Sequence, residues 1–327
     1  MNIFVTLDYE LFFGNSGTPE KCIIEPTNKL IEIANKYNFK CVFFVDSGYL
    51  IKLKEFKEKH PNLEKDFNLV SNQIKELSDN GHDIQLHIHP HWEDTTYDEN
   101  GWNFDLKRYR LDAFSESGIL DIFFRYKNIL EEIISKKINT YRAGGWCIQP
   151  FEKLKNAFIE CDLKIDSTVF YNGKNTTQTQ WFDFESAKDL DHWRFSNDPC
   201  VEDEKGPFLE IPIASTKVFP LFFWKFAVIK KIGLEKHKPY GDGSASPTSN
   251  LQIKRLLTKP SHSVVSMDGY KASLLNKAYK MYSKDNKQNF VIIGHPKAFT
   301  NFSLNKFDLF MRDKLRRNNA VKIFSEF

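Results

Sequence analysis

The feature that most constrains the fold is a regular alternation of strand-like and helix-like segments along 327 residues. Short β-branched and apolar runs, such as 2–7 and 40–45, alternate with segments whose apolar residues recur at helical spacing, such as 26–38. This alternation is typical of a parallel sheet or barrel covered by helices, because consecutive parallel strands need a crossover connection. The sequence therefore predicts the α/β class.

Polar side chains with catalytic potential end nearly every predicted strand. In a (β/α) barrel, the carboxyl ends of the strands converge on one face. Polar strand ends are common in general, which would explain Asp46 but explains an arginine and several histidines less well. The predicted strand-end residues are Asp8, Asp46, His87, Arg142, Asp166 and His295.

Histidine is concentrated in one short stretch, GHDIQLHIHPHW at 81–92. Of nine histidines in the chain, four fall within ten residues, namely His82, His87, His89 and His91. His87 and His91 have the spacing H-x-x-x-H, which places two imidazoles on one side of a turn, where one divalent ion can take both. The alternative is a solvated polar loop with stacked histidines.

Composition excludes several classes of protein. With 46 basic and 43 acidic residues the net charge is +3, too small to indicate a nucleic-acid partner. The five cysteines include no C-x-x-C pair, which argues against a disulfide scaffold and a structural zinc knuckle. The start of the sequence lacks a secretory pattern, so we expect a cytoplasmic protein.

An apolar and basic run, VFPLFFWKFAVIKKIG, begins at Val218 and ends at Gly233. Two interpretations are open. The run can be an interfacial helix that contacts a membrane or lipid carrier from the inner face of the membrane. It can also be a buried helix with a basic end, which we favour because most large apolar side chains are buried.

Four motifs in order resemble those of the polysaccharide deacetylase family, also called the NodB-homology family or carbohydrate esterase family four. The sequence T-L-D-Y-E at 6–10 resembles the acidic first motif. The strand G-H-D-I at 81–84, followed by His87 and His91, resembles the second. R-A-G-G at 142–145 stands in place of the common R-P-P-Y, and I-I-G-H at 292–295 is similar to the last motif, L-x-x-H.

The resemblance implies a distorted (β/α) barrel of about seven parallel strands, with residues 1–327 forming one catalytic domain. A region at approximately 171–285 matches no motif. We expect it to be an insertion that shapes the substrate cleft.

The resemblance also implies roles for individual residues. Glu10, His87 and His91 would bind one divalent ion, zinc above all, with cobalt or nickel as alternatives. Asp8 would be the general base, paired with Arg142, and His295 the general acid, oriented by Asp166. The backbone N–H near Gly145 would bind the oxyanion, with Trp146 and Trp92 assigned to the same substrate-binding group.

The activity implied is removal of an N-acetyl or related acyl group from a sugar. A cytoplasmic location favours a nucleotide-linked or lipid-linked precursor of a surface polysaccharide. Two alternatives stay open: hydrolysis of another C–N bond on the same fold, and a carbohydrate-binding protein with a degenerate site. The sequence leaves the sugar and the oligomeric state undecided.

Overall fold

The computed structural model describes residues 1–246, 250–317 and 319–326, and the chain divides into two compact units. Unit 1 contains residues 1–39 and the described part of 213–322, and unit 2 contains 40–212 and 323–326. The predicted insertion at 171–285 falls in both units, and its residues 247–249 lie outside the described residues. The assignment of 1–327 to one catalytic domain stays a prediction.

The strands, in chain order, are Asn2–Tyr9 (β1), Val42–Asp46 (β2), Asp83–Ile88 (β3), Thr96–Asp98 (β4), Gly101–Asn103 (β5), Thr140–Ala143 (β6), Ile165–Asp166 (β7), Lys174–Thr176 (β8), Trp181–Asp183 (β9), Trp193–Phe195 (β10), Phe208–Glu210 (β11), Ser215–Val218 (β12), Ser261–Val264 (β13) and Asn289–Gly294 (β14). The α-helices are Glu25–Tyr37 (α1), Ser47–Phe56 (α2), Pro61–Asp79 (α3), Glu116–Ile134 (α4), Glu152–Glu160 (α5), Pro220–Ile232 (α6), Asn250–Thr258 (α7), Leu275–Lys284 (α8) and Asn301–Leu315 (α9).

Unit 1 is built on the first and last strands. β1 pairs in parallel with β14, with Asn2 opposite Asn289 and Leu7 opposite Gly294. Helices α1, α8 and α9 belong to the same unit, and α9 begins with a capping box in which Thr300 and Ser303 bond each other's backbone N–H. This register places the residues that follow Leu7 and Gly294 beside each other.

Unit 2 has a six-stranded sheet in the order β10-β11-β7-β6-β3-β2. The four inner pairings are parallel, and β10 pairs antiparallel with β11 at one edge. Every residue of β2 and β3 is buried, as expected for parallel strands covered on both faces. Among the described residues, seven strands make parallel pairs, two in unit 1 and five in unit 2.

The favoured interpretation of 218–233 as a buried helix is wrong. The helix is present as α6, but none of its residues is buried. Local sequence predicted the helix correctly. Local sequence could not predict whether the helix is buried, because burial depends on whether other parts of the chain pack against it. None of the described helices combines the length and hydropathy needed to cross a membrane.

Candidate functional site

Unit 1 gathers two carboxylates and an imidazole where β1 and β14 end. Asp8 is the last residue but one of β1, Glu10 directly follows the strand, and both side chains are buried. His295 follows β14, and its Nε2 lies 3.5 Å from Asp8 Oδ2 and 3.8 Å from Glu10 Oε1. The parallel pairing of the two strands explains this proximity, because it brings their carboxyl ends together.

Asp268 is the partner that holds the other side of the His295 ring. Its Oδ2 lies 2.7 Å from Nδ1 of His295, and its Oδ1 accepts the backbone N–H of His295 at 2.7 Å. Burial alone would lower the pKa of His295, but the charge and hydrogen bond of Asp268, followed by Asp8 and Glu10, raise the pKa to about 9. The predicted orienting residue was Asp166, whereas the carboxylate on the His295 ring belongs to Asp268, which no motif in the sequence indicates.

Lys297 is a second residue of the cluster that no motif predicts. Its Nζ donates to Glu10 Oε1 at 2.9 Å and to the carbonyl oxygen of Leu11, and it lies over the rings of Phe12 and Phe13. The side chain is buried. A buried ammonium at this position balances the charge of Glu10 and fixes the direction of its carboxylate. No sequence motif signals this pairing, since the two residues are 287 positions apart.

Unit 2 places two histidines of the His-rich stretch side by side. His87 lies in β3 and His89 just after it, and alternation along an extended chain points both rings to the same side. The Nε2 atoms of His87 and His89 are 3.1 Å apart, and both rings are buried. Nδ1–H of His87 donates to the carbonyl oxygen of Arg142 at 2.8 Å, which leaves Nε2 of that ring as the ligand atom.

His91 occupies a different environment in the 3₁₀ turn Pro90–Asp94. Its ring is fully buried and stacks on Trp92 and Tyr109, with interplanar angles of 25° and 14°. It also meets the ring of His89 edge-on, with centroids 5.5 Å apart. The H-x-x-x-H pair is therefore present in sequence, while the pair at close nitrogen spacing is His87 with His89. The predicted ligand role of His91 stays a prediction.

Arg142 and Asp166 lie in a fully buried polar layer of unit 2. Arg142 donates from Nε to the carbonyl oxygen of Ser167 at 2.7 Å, and its guanidinium carbon lies 4.0 Å from the centroid of the Phe44 ring. Asp166 accepts from the hydroxyl of Thr168 at 2.7 Å. The predicted pairing of Arg142 with Asp8 stays a prediction.

Glu210 adds a further carboxyl group beside Asp166. Burial, and then the charge of Asp166, raise the pKa of Glu210 well above its usual range. Burial also raises the pKa of Asp166, opposed by its hydrogen bonds to Glu210 and Thr168. Oε1 of Glu210 also accepts the backbone N–H of Val169 at 3.1 Å.

The loop after β6 contains Gly145 and Trp146, which were assigned to oxyanion and substrate contacts. Both have positive φ values of 60°, and a Cβ at Gly145 would meet the Tyr109 ring at 2.7 Å. The carbonyl oxygen of Gly145 accepts from Nε2 of Gln180 at 2.9 Å. Position 145 therefore requires glycine for two reasons: the backbone is left-handed, and the Tyr109 ring leaves no space for a Cβ.

Trp92 lies in the same 3₁₀ turn as His91. Its indole is fully buried, and Nε1–H donates to Asp46 Oδ2 at 2.6 Å. The ring packs against Tyr49, Trp102 and Phe104. These contacts make Trp92 a packing residue of the turn that contains His91, and its predicted place in the substrate-binding group stays a prediction.

Comparison with solved structures supports the fold. The allantoinase Puue is similar over 98% of this chain and 86% of its own, with a TM-score of 0.50 and 10% identity. The predicted distorted (β/α) barrel is confirmed. A polysaccharide deacetylase from Bacillus cereus matches with a TM-score of 0.44 and 10% identity, covering 100% of this chain and 94% of its own. A putative polysaccharide deacetylase from Mycobacterium smegmatis matches at 0.42 and 14%, covering 92% and 80%.

No family model and no curated protein sequence matches the chain. At these identities the solved structures establish the fold alone, because one fold supports many chemistries. Function has to be argued from the side chains at the strand ends.

Proposed function

We propose that the chain is a metal-dependent hydrolase that cleaves an amide C–N bond and removes an N-acetyl group from a sugar. The observation that carries this proposal is the cluster in unit 1, where His295 faces Asp8 and Glu10 on one side and Asp268 on the other. A carboxylate base beside a protonated imidazole is the pair of groups that amide hydrolysis requires, since water must lose a proton and the amine must gain one.

The proposed metal ligands are Glu10, His87 and one further imidazole. The spacing of 3.1 Å between the Nε2 atoms of His87 and His89 favours His89, because two zinc–nitrogen bonds of about 2.05 Å at a tetrahedral angle separate their nitrogens by about 3.3 Å. His91 is the alternative from the H-x-x-x-H motif. Glu10, His87 and His89 are all buried and offer the oxygen and nitrogen donors that zinc, cobalt or nickel accept.

When bound, a divalent ion would supply the Lewis acidity that activates water and polarises a carbonyl oxygen. The remaining work falls to the side chains. Asp8 takes a proton from the attacking water, and His295 returns a proton to the departing amine. Asp268 holds the His295 ring in position through Nδ1. The backbone N–H near Gly145 would stabilise the developing oxyanion, as oxyanion-hole donors do, with Trp146 beside the substrate.

The substrate that we favour is an N-acetylated sugar on a nucleotide or lipid carrier, a precursor in surface-polysaccharide synthesis. The unmatched region at 171–285 would then shape the cleft that selects this sugar. Its two short hairpin strands, β8 and β9, lie next to the Gly145 loop through the hydrogen bond from Gln180. Which sugar is bound depends on contacts of this region.

A second candidate is hydrolysis of another C–N bond, such as that of a ureide ring. The similarity to the allantoinase Puue, the structural match with a TM-score of 0.50, favours testing this reaction. The same base, acid and metal ligands would serve both substrates, because each reaction adds water to an amide carbonyl. A carbohydrate-binding protein without catalysis is disfavoured by the complete set of acid, base and ligand residues.

Two measurements test the proposal. Protein purified without chelator should contain about one divalent ion per chain. It should also release acetate from at least one member of a panel of N-acetyl sugars, nucleotide-linked and lipid-linked. A parallel panel of ureides detects the second candidate. Absence of metal, together with no activity on either panel after addition of zinc, cobalt or nickel, would refute both functions.

The role of Asp8 has its own test. Asp8→Asn keeps the side-chain size but removes the proton acceptor, so turnover should fall by about 10²-fold or more while the metal content stays unchanged. Glu10→Gln should instead weaken metal binding, because an amide is a poorer ligand than a carboxylate. The exposed Asp285, changed to Asn, is the matched control and should leave both quantities unchanged. Loss of metal in Asp8→Asn with retention in Glu10→Gln would exchange the two roles.

A further inference from the structure

Helices α6 and α7 form a helical pair in unit 1 in which no described residue is buried. The indole Nε1–H of Trp224 in α6 donates to the carbonyl oxygen of Leu257 in α7 at 3.0 Å, which ties the two helices together. Phe222 and Phe226 attach α6 to the unit by stacking on Tyr270. The pair is therefore anchored on one side and open to solvent on the rest of its surface.

The outer surface of α6 presents an apolar stripe. Leu221, Trp224, Val228 and Ile232 are 65%, 53%, 53% and 61% exposed, and their spacing of three, four and four residues places them along one face. Single exposed apolar residues are ordinary, but a continuous stripe of four marks an interaction surface. In α7, Leu251 is also exposed, by 81%.

Positive charge surrounds this stripe. Residues 217–259 contain nine of the 46 basic residues of the chain but only two of its 43 acidic residues. Without this segment the net charge of +3 would become negative. At 100° per residue, Lys225 and Lys231 flank the stripe on its two sides. The surface thus combines exposed apolar side chains with flanking ammonium groups. This combination is complementary to a partner that has an apolar interior and an anionic surface.

We propose that α6 and α7 dock on the surface of an anionic lipid bilayer. Helix α6 has 13 residues and spans about 20 Å, shorter than the hydrocarbon core of about 30 Å, so it lies in the interface and does not cross it. Apolar side chains of such a helix enter the boundary between headgroups and acyl chains, while lysines remain at the phosphates. A second copy of this chain is a poorer partner, because the two surfaces would carry charge of the same sign.

The first experiment uses the full chain and co-sedimentation with vesicles. Vesicles of phosphatidylcholine with about 30% phosphatidylglycerol should bind the protein, and pure phosphatidylcholine should bind it much more weakly, since about 1 kcal/mol per surface lysine depends on lipid charge. Raising the salt from about 0.1 M to about 0.5 M should release the bound protein, because screening shortens the range of the attraction. Equal binding to both vesicle types, or no binding to either, would overturn the proposal.

Variants then separate charge from apolar contact. Lys225→Gln with Lys231→Gln should weaken binding to anionic vesicles about 25-fold, since each lysine contributes roughly fivefold. The exposed lysines Lys59 and Lys65, changed to Gln together, lower the net charge equally and should leave binding nearly unchanged. If the control pair weakens binding as much as the test pair, the attraction belongs to the whole chain and the docking surface is wrong.

The apolar stripe is tested by Leu221→Ser with Val228→Ser, which should weaken binding at least tenfold. Ile159 and Val201, exposed by 53% and 55%, give the matched control pair when changed to Ser. Light scattering of the same proteins without lipid detects the competing occupant. A dimer that the stripe variant dissociates, with vesicle binding unchanged, would assign the surface to a second copy and refute lipid docking.

Discussion

Replacement of His89 or His91 by Gln decides which imidazole joins His87 at the metal. Both variants keep a polar side chain of similar reach, but each removes one ring. The Nε2 atoms of His87 and His89 already stand 3.1 Å apart, within about 0.3 Å of the separation that one tetrahedral zinc ion imposes. The His91 ring is held instead by stacking on Tyr109 and Trp92. We therefore expect His89→Gln to affect metal binding more than His91→Gln.

The size of the two effects should differ clearly. Loss of a contact outside the ligand shell already costs about 10–100-fold in metal affinity. Loss of a ligand should exceed this range, so His89→Gln should weaken binding by more than about 10²-fold, or roughly 2.7 kcal/mol. His91→Gln removes aromatic stacking worth about 1 kcal/mol to the fold. Its effect on metal affinity should stay within about tenfold.

Competition between the protein and a chelator for zinc or cobalt measures the affinity, and urea unfolding of the metal-free protein measures the fold. His60→Gln is the control, since His60 lies outside the His-rich stretch and its ring packs on Tyr97 and Phe56. If His91→Gln loses the metal and His89→Gln keeps it, the H-x-x-x-H motif is the correct guide and the argument from nitrogen spacing is refuted. Retention in both variants would remove this stretch from the metal site.

Three further changes test the surroundings of the site. Trp92→Phe should lower the free energy of unfolding in urea by about 3 kcal/mol. The change opens a cavity and removes a hydrogen bond to the buried carboxylate of Asp46. A loss of less than about 1 kcal/mol would contradict the packing role. Glu210 has a raised pKa, so its folded-state stabilisation is complete below its unfolded pKa of about 4.3 and declines as pH rises toward the folded pKa. Glu210→Gln stays neutral, so its stability relative to the natural protein should rise as the pH is raised above about 4.3. A difference in stability that does not change with pH would show that Glu210 is not protonated in the fold. Gly144→Ala should lower the free energy of unfolding by more than about 1 kcal/mol, because the added Cβ would clash with the backbone carbonyl at the end of β3. A melting temperature equal to that of the natural protein would argue against this close approach.

The sequence by itself determined most elements and the positions of their polar ends. The segment 26–38 has apolar residues at helical spacing, and it forms α1 with each end shifted by one residue. The order of strands and helices, read with the four motifs, gave the barrel class because alternation favours parallel pairing. These inferences succeed because periodicity and strand ends are local properties of the chain.

Only the tertiary structure decided which groups meet. Asp268 and His295 are 27 positions apart in the sequence, and Lys297 and Glu10 are 287 positions apart. Neither contact produces a recognisable pattern in the sequence. The same reason explains why burial of Trp92 and exposure of α6 escaped prediction. An apolar side chain has the same letter in the core and on the surface, and the surrounding fold alone decides whether another element covers it.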